Sequence, residues 1–194
     1  LLMMEEEKGD DGSDAVLFDH VFKTDDDMFV NITQLSMDLS PSNKNEDHHT
    51  VVADYFGLPM QGTGPVRDVT SKFYLSPEEY SPATFPTYAT GGGYALSNKF
   101  VDCASKQMAS LLPPMWWEDV AVGLLAESCG IELTAAPWSP DAIRSPGRYF
   151  QQNPTTMAIA HRVSIENQLR IHHGLRPVFD DDGFITPRLC PDME

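Results

Sequence analysis

Three consecutive aspartates, Asp25, Asp26 and Asp27, form the pattern in this sequence with the clearest chemical potential. Adjacent carboxylates repel one another, so such a run is typical of a segment that holds a cation. Magnesium and manganese bind one or two carboxylates together with substrate phosphates. An EF-hand does not fit, because a loop starting at Asp25 has Val30 where that loop requires glycine. We therefore predict a divalent-cation site, and the alternative is a solvated acidic loop.

A second acidic pair stands at the start of a predicted helix. Glu118 and Asp119 follow Trp116 and Trp117 directly, and the N-terminus of a helix stabilises an ionised carboxylate. An ionised Asp119 next to a sugar pocket can accept the proton of an attacking hydroxyl. The alternative is that both acids serve only the helix dipole.

A glycine run, Gly91 to Gly93, precedes Tyr94. Consecutive glycines allow the backbone to approach a ligand closely, and the neighbouring aromatic rings could stack on a sugar. No G-K-[ST] sequence follows, so this is not a phosphate-binding P-loop. The alternative is an ordinary turn with aromatic residues in the core. A second aspartate triplet, 180–182, follows no strand pattern and is interpreted as a loop.

The surrounding pattern predicts one α/β domain. Residues 15–23 indicate a strand and 28–39 a helix, so the first triplet lies between a strand and a helix, where ligands bind in open α/β sheets. We predict an acidic tail over 1–14, the domain over 15–175 and a C-terminal tail over 176–194. Within the domain, the remaining predicted strands are 51–56, 72–75, 131–135 and 157–161, and the remaining predicted helices are 97–111, 118–129 and 163–173.

The composition excludes several classes of function. The 194 residues have a net charge of −16, which argues against binding of a nucleic-acid backbone. No apolar run approaches the ~20 residues of a membrane span. The chain begins with Leu1, so we interpret it as incomplete, with any targeting segment or membrane anchor upstream. Cys103, Cys129 and Cys190 are too few for a disulfide scaffold, and both one bridge and three free thiols are open.

Taken together, the blocks resemble glycosyltransferase family 31, the beta-1,3-galactosyltransferase-like enzymes. FDHVFKTDDDMFVN is similar to the family's metal motif, GPVRDVTSKFYLSPEEY with FPTYATGGGYALS to its acceptor-side block, and WWEDVAVGLLAESCGI to its Glu-Asp-Val helix. The match runs from about Phe18 to Leu133. It implies an α/β fold, the Rossmann-like single-domain nucleotide-sugar transferase fold of GT-A type, with the first strands missing from this chain.

The resemblance also implies roles for individual residues. The metal would be held by Asp27 and His161, with His172 and His173 as competing histidines and His48 and His49 as weaker ones. Asp25 and Asp26 would contact the donor, and Asp119 would be the general base. The implied acceptor-binding residues are Tyr94, Gly92, Gly93, Trp116, Trp117 and Glu118.

The activity implied by the resemblance is inverting transfer of a hexose from a UDP-sugar to a hydroxyl of an acceptor glycan, in a beta-1,3 linkage and with Mn²⁺. Galactose is favoured over N-acetylglucosamine. The implied location is the Golgi lumen, on a membrane protein whose anchor lies outside this chain. The alternative is a catalytically inactive fragment that binds a carbohydrate or a cation.

Overall fold

The computed structural model describes residues 18–39, 53–111, 117–140, 158–175 and 178. These residues form six strands and four helices, which are, in chain order, β1 (His20–Thr24), β2 (Phe29–Val30), α1 (Ile32–Leu39), β3 (Tyr55–Met60), β4 (Tyr88–Ser97), α2 (Asn98–Leu111), α3 (Glu118–Ser128), β5 (Leu133–Ala135), β6 (Ile159–Ala160) and α4 (Ile165–His172). Among the described helices, none has the length and apolar character needed to cross a bilayer.

The main sheet is mixed, with the strand order β1-β4-β3-β5. The long strand β4 is antiparallel to β1 and to β3, and only β3 and β5 run parallel. A separate two-stranded ladder joins β2 to β6. The α/β class predicted from the sequence is therefore confirmed, whereas the described sheet does not establish the Rossmann-like arrangement.

Alternation along β3 creates two apolar layers, because successive side chains of a strand point to opposite faces. Tyr55 is fully buried and packs with Phe100 and Leu125 under α2 and α3. Its neighbour Phe56 packs on the other face with Trp138 and Ile159. The sheet thus has apolar contacts on both faces, and β6 is attached to the same core as β1.

Most predicted elements are found with shorter bounds, but two interpretations were wrong. The glycine run lies inside β4 and not in a turn before a helix. The helix predicted from residue 28 begins at Ile32, because Phe29 and Val30 instead form the ladder with β6. Asn31 then caps the helix, since its Oδ1 accepts from the Gln34 amide at 3.1 Å.

The other differences are small. The strand predicted over 51–56 is found as β3, which continues to Met60. In place of the strand predicted over 72–75 there is an isolated bridge between Val66 and Tyr74. Several predictions concern residues that the structure does not describe. These are both tails apart from residue 178, Trp116, His48, His49, Cys190 and the triplet 180–182.

A disulfide joins α2 to the end of α3. Cys103 and Cys129 are bonded across 26 positions of the chain. Gly130, in the left-handed region with φ of 64°, ends α3, and the Gly130 and Ile131 amides donate to carbonyls of the last turn. Of the two cysteine alternatives left open by the sequence, the structure has the bridge.

Candidate functional site

The acidic triplet lies in the turn directly after β1. The Met28 amide donates to the Asp25 carbonyl at 3.3 Å, which closes the turn, and the buried Met28 side chain anchors it in the core. Asp26 and Asp27 are exposed, whereas Asp25 is less accessible. The buried methionine therefore keeps the turn against the sheet while its carboxylates face outward.

The short ladder between β2 and β6 brings His161 to this turn. Phe29 pairs with Ala160, and the Val163 amide donates to the Asp27 carbonyl at 2.8 Å. Between these contacts, Arg162 adopts a left-handed φ of 56°, which turns the chain back after His161. As a result, His161 Nε2 lies 3.4 Å from Asp27 Oδ2, although the two residues are distant in the sequence.

This pair fits a divalent cation by its chemistry. One carboxylate oxygen and one imidazole nitrogen are donors that such ions accept, and two atoms 3.4 Å apart can both lie within a metal–ligand distance of about 2.1 Å. The Asp27 side chain is 50% exposed, so water or substrate oxygens can reach the same position. Across the described ranges there is no cluster of three or more metal-ligating side chains. Asp27 and His161 are the pair that these ranges offer, and metal binding by them stays a prediction.

The competing histidines lie elsewhere. His172 ends α4 and His173 follows it. The centroids of their two rings are 5.2 Å apart in an edge-to-face arrangement. Both are exposed. The structure therefore brings His161, and not this pair, into contact with the acidic turn.

Lys23 connects the acidic turn to the start of α3. Its ammonium donates to Asp25 Oδ1 at 2.7 Å and lies 3.0 Å from Glu118 Oε2. It also donates to the Gly91 carbonyl of β4 at 2.6 Å. Burial lowers the pKa of Lys23, but hydrogen bonds and charge attraction from Asp25 and Glu118 outweigh it, so the pKa lies above its usual value. Asp25 and Glu118 thus become neighbours across one positive charge.

Asp119 lies beside this connection and lines a cavity of about 240 Å³. Its Oδ1 accepts from the Val120 amide at 2.9 Å. A Cβ placed on Gly91 would lie 3.4 Å from its Oδ2, so the carboxylate rests directly against the β4 backbone. Asp119 therefore adjoins both the cavity and the backbone segment that Lys23 holds.

Aromatic rings line the same cavity as Asp119. Trp117 packs edge-on against Phe85 at 5.7 Å and against Phe73 at 6.2 Å, and Tyr88 completes the lining. A carboxylate facing aromatic rings suits a sugar, which presents hydroxyls on its rim and C–H groups on its faces. The volume is below the ~300–1,000 Å³ typical of drug-sized ligands, so the cavity suits a single sugar ring.

The irregular segment that contributes Phe73 keeps its shape through one arginine. The Arg67 guanidinium donates to the carbonyls of Leu75 at 2.6 Å, Tyr80 at 2.5 Å and Pro82 at 3.3 Å. One planar donor group thus joins three carbonyls of this segment. This explains how a segment with little regular structure can form a defined wall.

Three of the predicted acceptor-binding residues lie in the core, and their acceptor-binding role stays a prediction. Tyr94 is 2% exposed and packs against Tyr55. Gly92 and Gly93 are buried within β4, and a Cβ on Gly93 would lie 3.0 Å from the Phe22 ring. Gly93 thus allows Phe22 to pack closely on β4, and Gly91 borders the Asp119 carboxylate.

The other predicted residues are placed as follows. Trp117 lines the cavity with Asp119, and Glu118 binds Lys23. Trp116 lies outside the described residues. Sequence reasoning missed Lys23 and Phe73. A signal for Lys23 was present, because a residue two positions before Asp25 shares its face on an extended strand.

The comparisons with known proteins agree with the resemblance seen in the sequence. A family model described as galactosyltransferase matches residues 13–137. UDP-GlcNAc:betaGal beta-1,3-N-acetylglucosaminyltransferase 7 of Rattus norvegicus is 33% identical over 115 residues, which are 59% of this chain and 27% of that protein. Beta-1,3-galactosyltransferase 4 of Mus musculus is 33% identical over 139 residues, covering 59% of this chain and 37% of that protein. Beta-1,3-galactosyltransferase 1 of Mus musculus is 34% identical over 113 residues, covering 58% and 32%. The chain thus spans roughly a third of the length of these curated relatives.

Proposed function

Because this chain belongs to the galactosyltransferase family, we propose that it takes part in the transfer of a hexose from a UDP-sugar to a hydroxyl of an acceptor glycan. The names of its relatives include both galactosyl- and N-acetylglucosaminyltransferases, and a beta-1,3 linkage is common to them. We favour galactose as the transferred sugar. The corresponding fold is the single-domain GT-A type, and the corresponding location is the Golgi lumen, with the anchor outside this chain.

The contact between Asp27 and His161 is the observation that carries this proposal. Two residues chosen from separate sequence blocks as ligands of one ion have donor atoms 3.4 Å apart. A structural ion pair could produce the same contact, but it would not require the two further carboxylates of the same turn. Manganese, when bound by Asp27 and His161, would supply the Lewis acid that neutralises charge on the departing diphosphate.

The remaining residues of the acidic turn would act on the donor. Asp26 is exposed, and Asp25 keeps part of its carboxylate surface accessible beside the Lys23 ammonium. A carboxylate accepts hydrogen bonds from ribose or hexose hydroxyls. Asp25 and Asp26 would therefore orient the donor at the turn, and Lys23 would limit the repulsion between their charges.

Asp119 would act on the acceptor. Asp119 lines the same cavity as Trp117 and Phe73, and there its carboxylate would accept the proton of a sugar hydroxyl and leave that oxygen free to attack the anomeric carbon. The attack comes from the face opposite the departing UDP, so the configuration inverts. The aromatic wall would exclude water and fix the ring, which limits hydrolysis of the donor.

The direct test is sugar transfer from labelled UDP-galactose and UDP-N-acetylglucosamine to galactoside acceptors in the presence of Mn²⁺. Asp119→Asn should lower kcat by about 10²–10⁴-fold, the usual contribution of a general base. Asp102→Asn is the matched control, because Asp102 is an exposed acid of α2 that pairs with Lys106. Turnover by Asp119→Asn at the parental rate, or turnover unchanged by a chelator, would contradict the proposed roles.

A second candidate function is carbohydrate binding without catalysis. The aromatic cavity favours it, because a ring-binding pocket needs neither the metal pair nor the donor. Calorimetric titrations separate the two candidates. Saturable binding of UDP that depends on Mn²⁺ and weakens in Asp27→Asn supports the transferase. Binding of a free sugar together with no binding of UDP supports the carbohydrate-binding protein.

A further inference from the structure

Lys23 satisfies all the donors of its ammonium with groups from three separate segments. The acceptors are Asp25 in the acidic turn, Glu118 at the start of α3 and the Gly91 carbonyl in β4, at 2.7, 3.0 and 2.6 Å. An ammonium group has three N–H donors. No other described lysine has this arrangement, since Lys99 and Lys106 each pair with a single aspartate and the Lys72 ammonium lies over an aromatic ring.

Two of these segments carry the opposite halves of the proposed reaction. Asp25 belongs to the turn that would hold the donor, while Glu118 directly precedes Asp119, the proposed base. Gly91 is in contact distance of the Asp119 carboxylate, because a Cβ at this position would lie 3.4 Å from Oδ2. One side chain therefore contacts the donor turn, the residue before the proposed base and the strand beside it.

Lys23 is itself well placed to act as a fixed point. It is in β1 and pairs in register with Tyr94 of the central strand, and its side chain is only 29% exposed. Its ammonium lies 5.8 Å from the centre of the Tyr94 ring, which is buried in the core. The stem thus extends from an edge strand that pairs with β4 along all five of its residues, so movement of the ammonium relative to β4 is restricted.

We propose that Lys23 is a positioning residue, which holds the donor-binding turn and the catalytic start of α3 at their working separation. This rests on the proposed transferase function for its kinetic consequence, but not for the physical link itself. Removing the ammonium would leave the carboxylates of Asp25 and Glu118 facing each other without a cation, and they would separate. A displacement of about 1 Å between reacting groups can lower a rate by 10²-fold.

The test compares Lys23→Met with Lys99→Met. Lys99 also forms a lysine–aspartate bridge, but with Asp54 at the other end of the β1–β4 pair. In the parent chain and both variants, hydrogen exchange is measured for peptides that cover residues 23–29 and 117–122. We expect exchange in both peptides to accelerate in Lys23→Met and to stay at the parental rate in Lys99→Met. Unchanged exchange in either peptide of Lys23→Met would overturn the proposal.

Kinetics then distinguish positioning from general stability. We expect Lys23→Met to lower kcat by about 10–10²-fold while the KM for the UDP-sugar changes less than threefold, because the Asp27–His161 pair is intact. We also expect Glu118→Gln combined with Lys23→Met to be no slower than Lys23→Met alone, because both changes break the same link. A kcat within twofold of the parent, or effects that multiply, would overturn the proposal.

The experiments distinguish failure of the proposed transferase function from failure of the proposed role of Lys23. If the parent chain shows neither sugar transfer nor Mn²⁺-dependent binding of UDP, the proposed function fails. The exchange experiment then still decides whether Lys23 joins the two segments. Coupled acceleration in both peptides supports the link, and its absence refutes it.

Discussion

Replacement of Gly123 by alanine should displace α3, the helix that carries Asp119. Gly123 lies in α3 where the helix packs on β4, and a Cβ at this position would lie 2.6 Å from the Cβ of Tyr88. Nonbonded carbon atoms rest about 3.5–4.0 Å apart. Because both Cβ atoms are fixed to their backbones, no rotamer change relieves the contact. Gly123→Ala should therefore push α3 away from β4 by about 1 Å.

The expected energy combines two opposing effects. Alanine is favoured over glycine in a helix interior by about 1 kcal/mol, whereas overpacking of a core typically costs about 1–3 kcal/mol. We take the upper part of that range, since the contact joins two backbone-bound carbons. The free energy of unfolding should fall by about 1–2 kcal/mol, which lowers the Tm by about 2–8 °C for a chain of this size.

The same displacement should reach the site, because Asp119 is one turn earlier on α3. We expect Gly123→Ala to lower kcat for sugar transfer at least tenfold, in keeping with the sensitivity of reacting groups to shifts of about 1 Å. Urea denaturation followed by circular dichroism measures the stability, and the transfer assay measures the rate. A Gly123→Ala chain that is as stable as the parent, or more stable, would refute the packing argument.

Gly130→Ala is the matched control. Gly130 has a left-handed φ of 64°, and a Cβ at this position would meet no atom of the described residues within 4 Å. Alanine there should cost about 1–2 kcal/mol through backbone strain alone, with no force on the start of α3. Comparable loss of stability with the parental kcat would show that the effect of Gly123→Ala on the rate comes from displacement of the helix.

Three further predictions concern stability. The buried Ala89 amide donates to the Tyr55 hydroxyl at 2.8 Å. Tyr55→Phe removes this acceptor, so the free energy of unfolding should fall by about 1–3 kcal/mol. A variant with the parental urea midpoint would contradict this. The Cys103–Cys129 bridge closes a loop of 26 positions, so its reduction should lower the free energy of unfolding by about 3–4 kcal/mol by the chain-entropy relation. Thermal unfolding with and without reductant measures the change. An unchanged Tm would count against the bridge. Burial raises the pKa of Asp54, but hydrogen bonds from its lysine and serine partners outweigh it and the pKa lies below the usual 3.8. The parent chain should therefore be more stable than Asp54→Asn above pH 3.8, by at most about 1 kcal/mol. This difference in stability should disappear as the pH falls through the lowered pKa. A difference that persists in acid would show that ionisation of Asp54 is not its source.

Local patterns were enough to locate most elements and the chemically active segments. Acidic residues in the first turn and Gly130 at the end predicted α3, and an apolar run predicted the strand before His161. The pairing of Asp27 with His161 was chosen from motif resemblance and is matched by a 3.4 Å contact. The two elements were accessible because residue type and spacing along one segment decide them, whereas the pairing was available only through the resemblance.

The glycine run shows where local patterns fail. Three glycines beside a tyrosine are typical of a turn, yet β1 pairs with Gly93 and β3 pairs with Tyr94 and Ala89 on either side of the run, so the run lies inside β4. Pairing between strands distant in sequence decides that outcome, and it overrides the low intrinsic strand preference of glycine. Long-range pairing of β2 with β6 likewise places the start of α1 at Ile32 and not at residue 28.

The sequence alone therefore determined a family resemblance, the position of the acidic turn, the acidic pair at the start of α3 and the α/β class. Only the tertiary structure decided which of these groups meet. In the structure Lys23 links Asp25 to Glu118. Phe73 lines the cavity, whereas Tyr94 lies in the core. The physical reason is that side-chain direction follows strand register, and register is set by the packing of the whole sheet and not by any one segment.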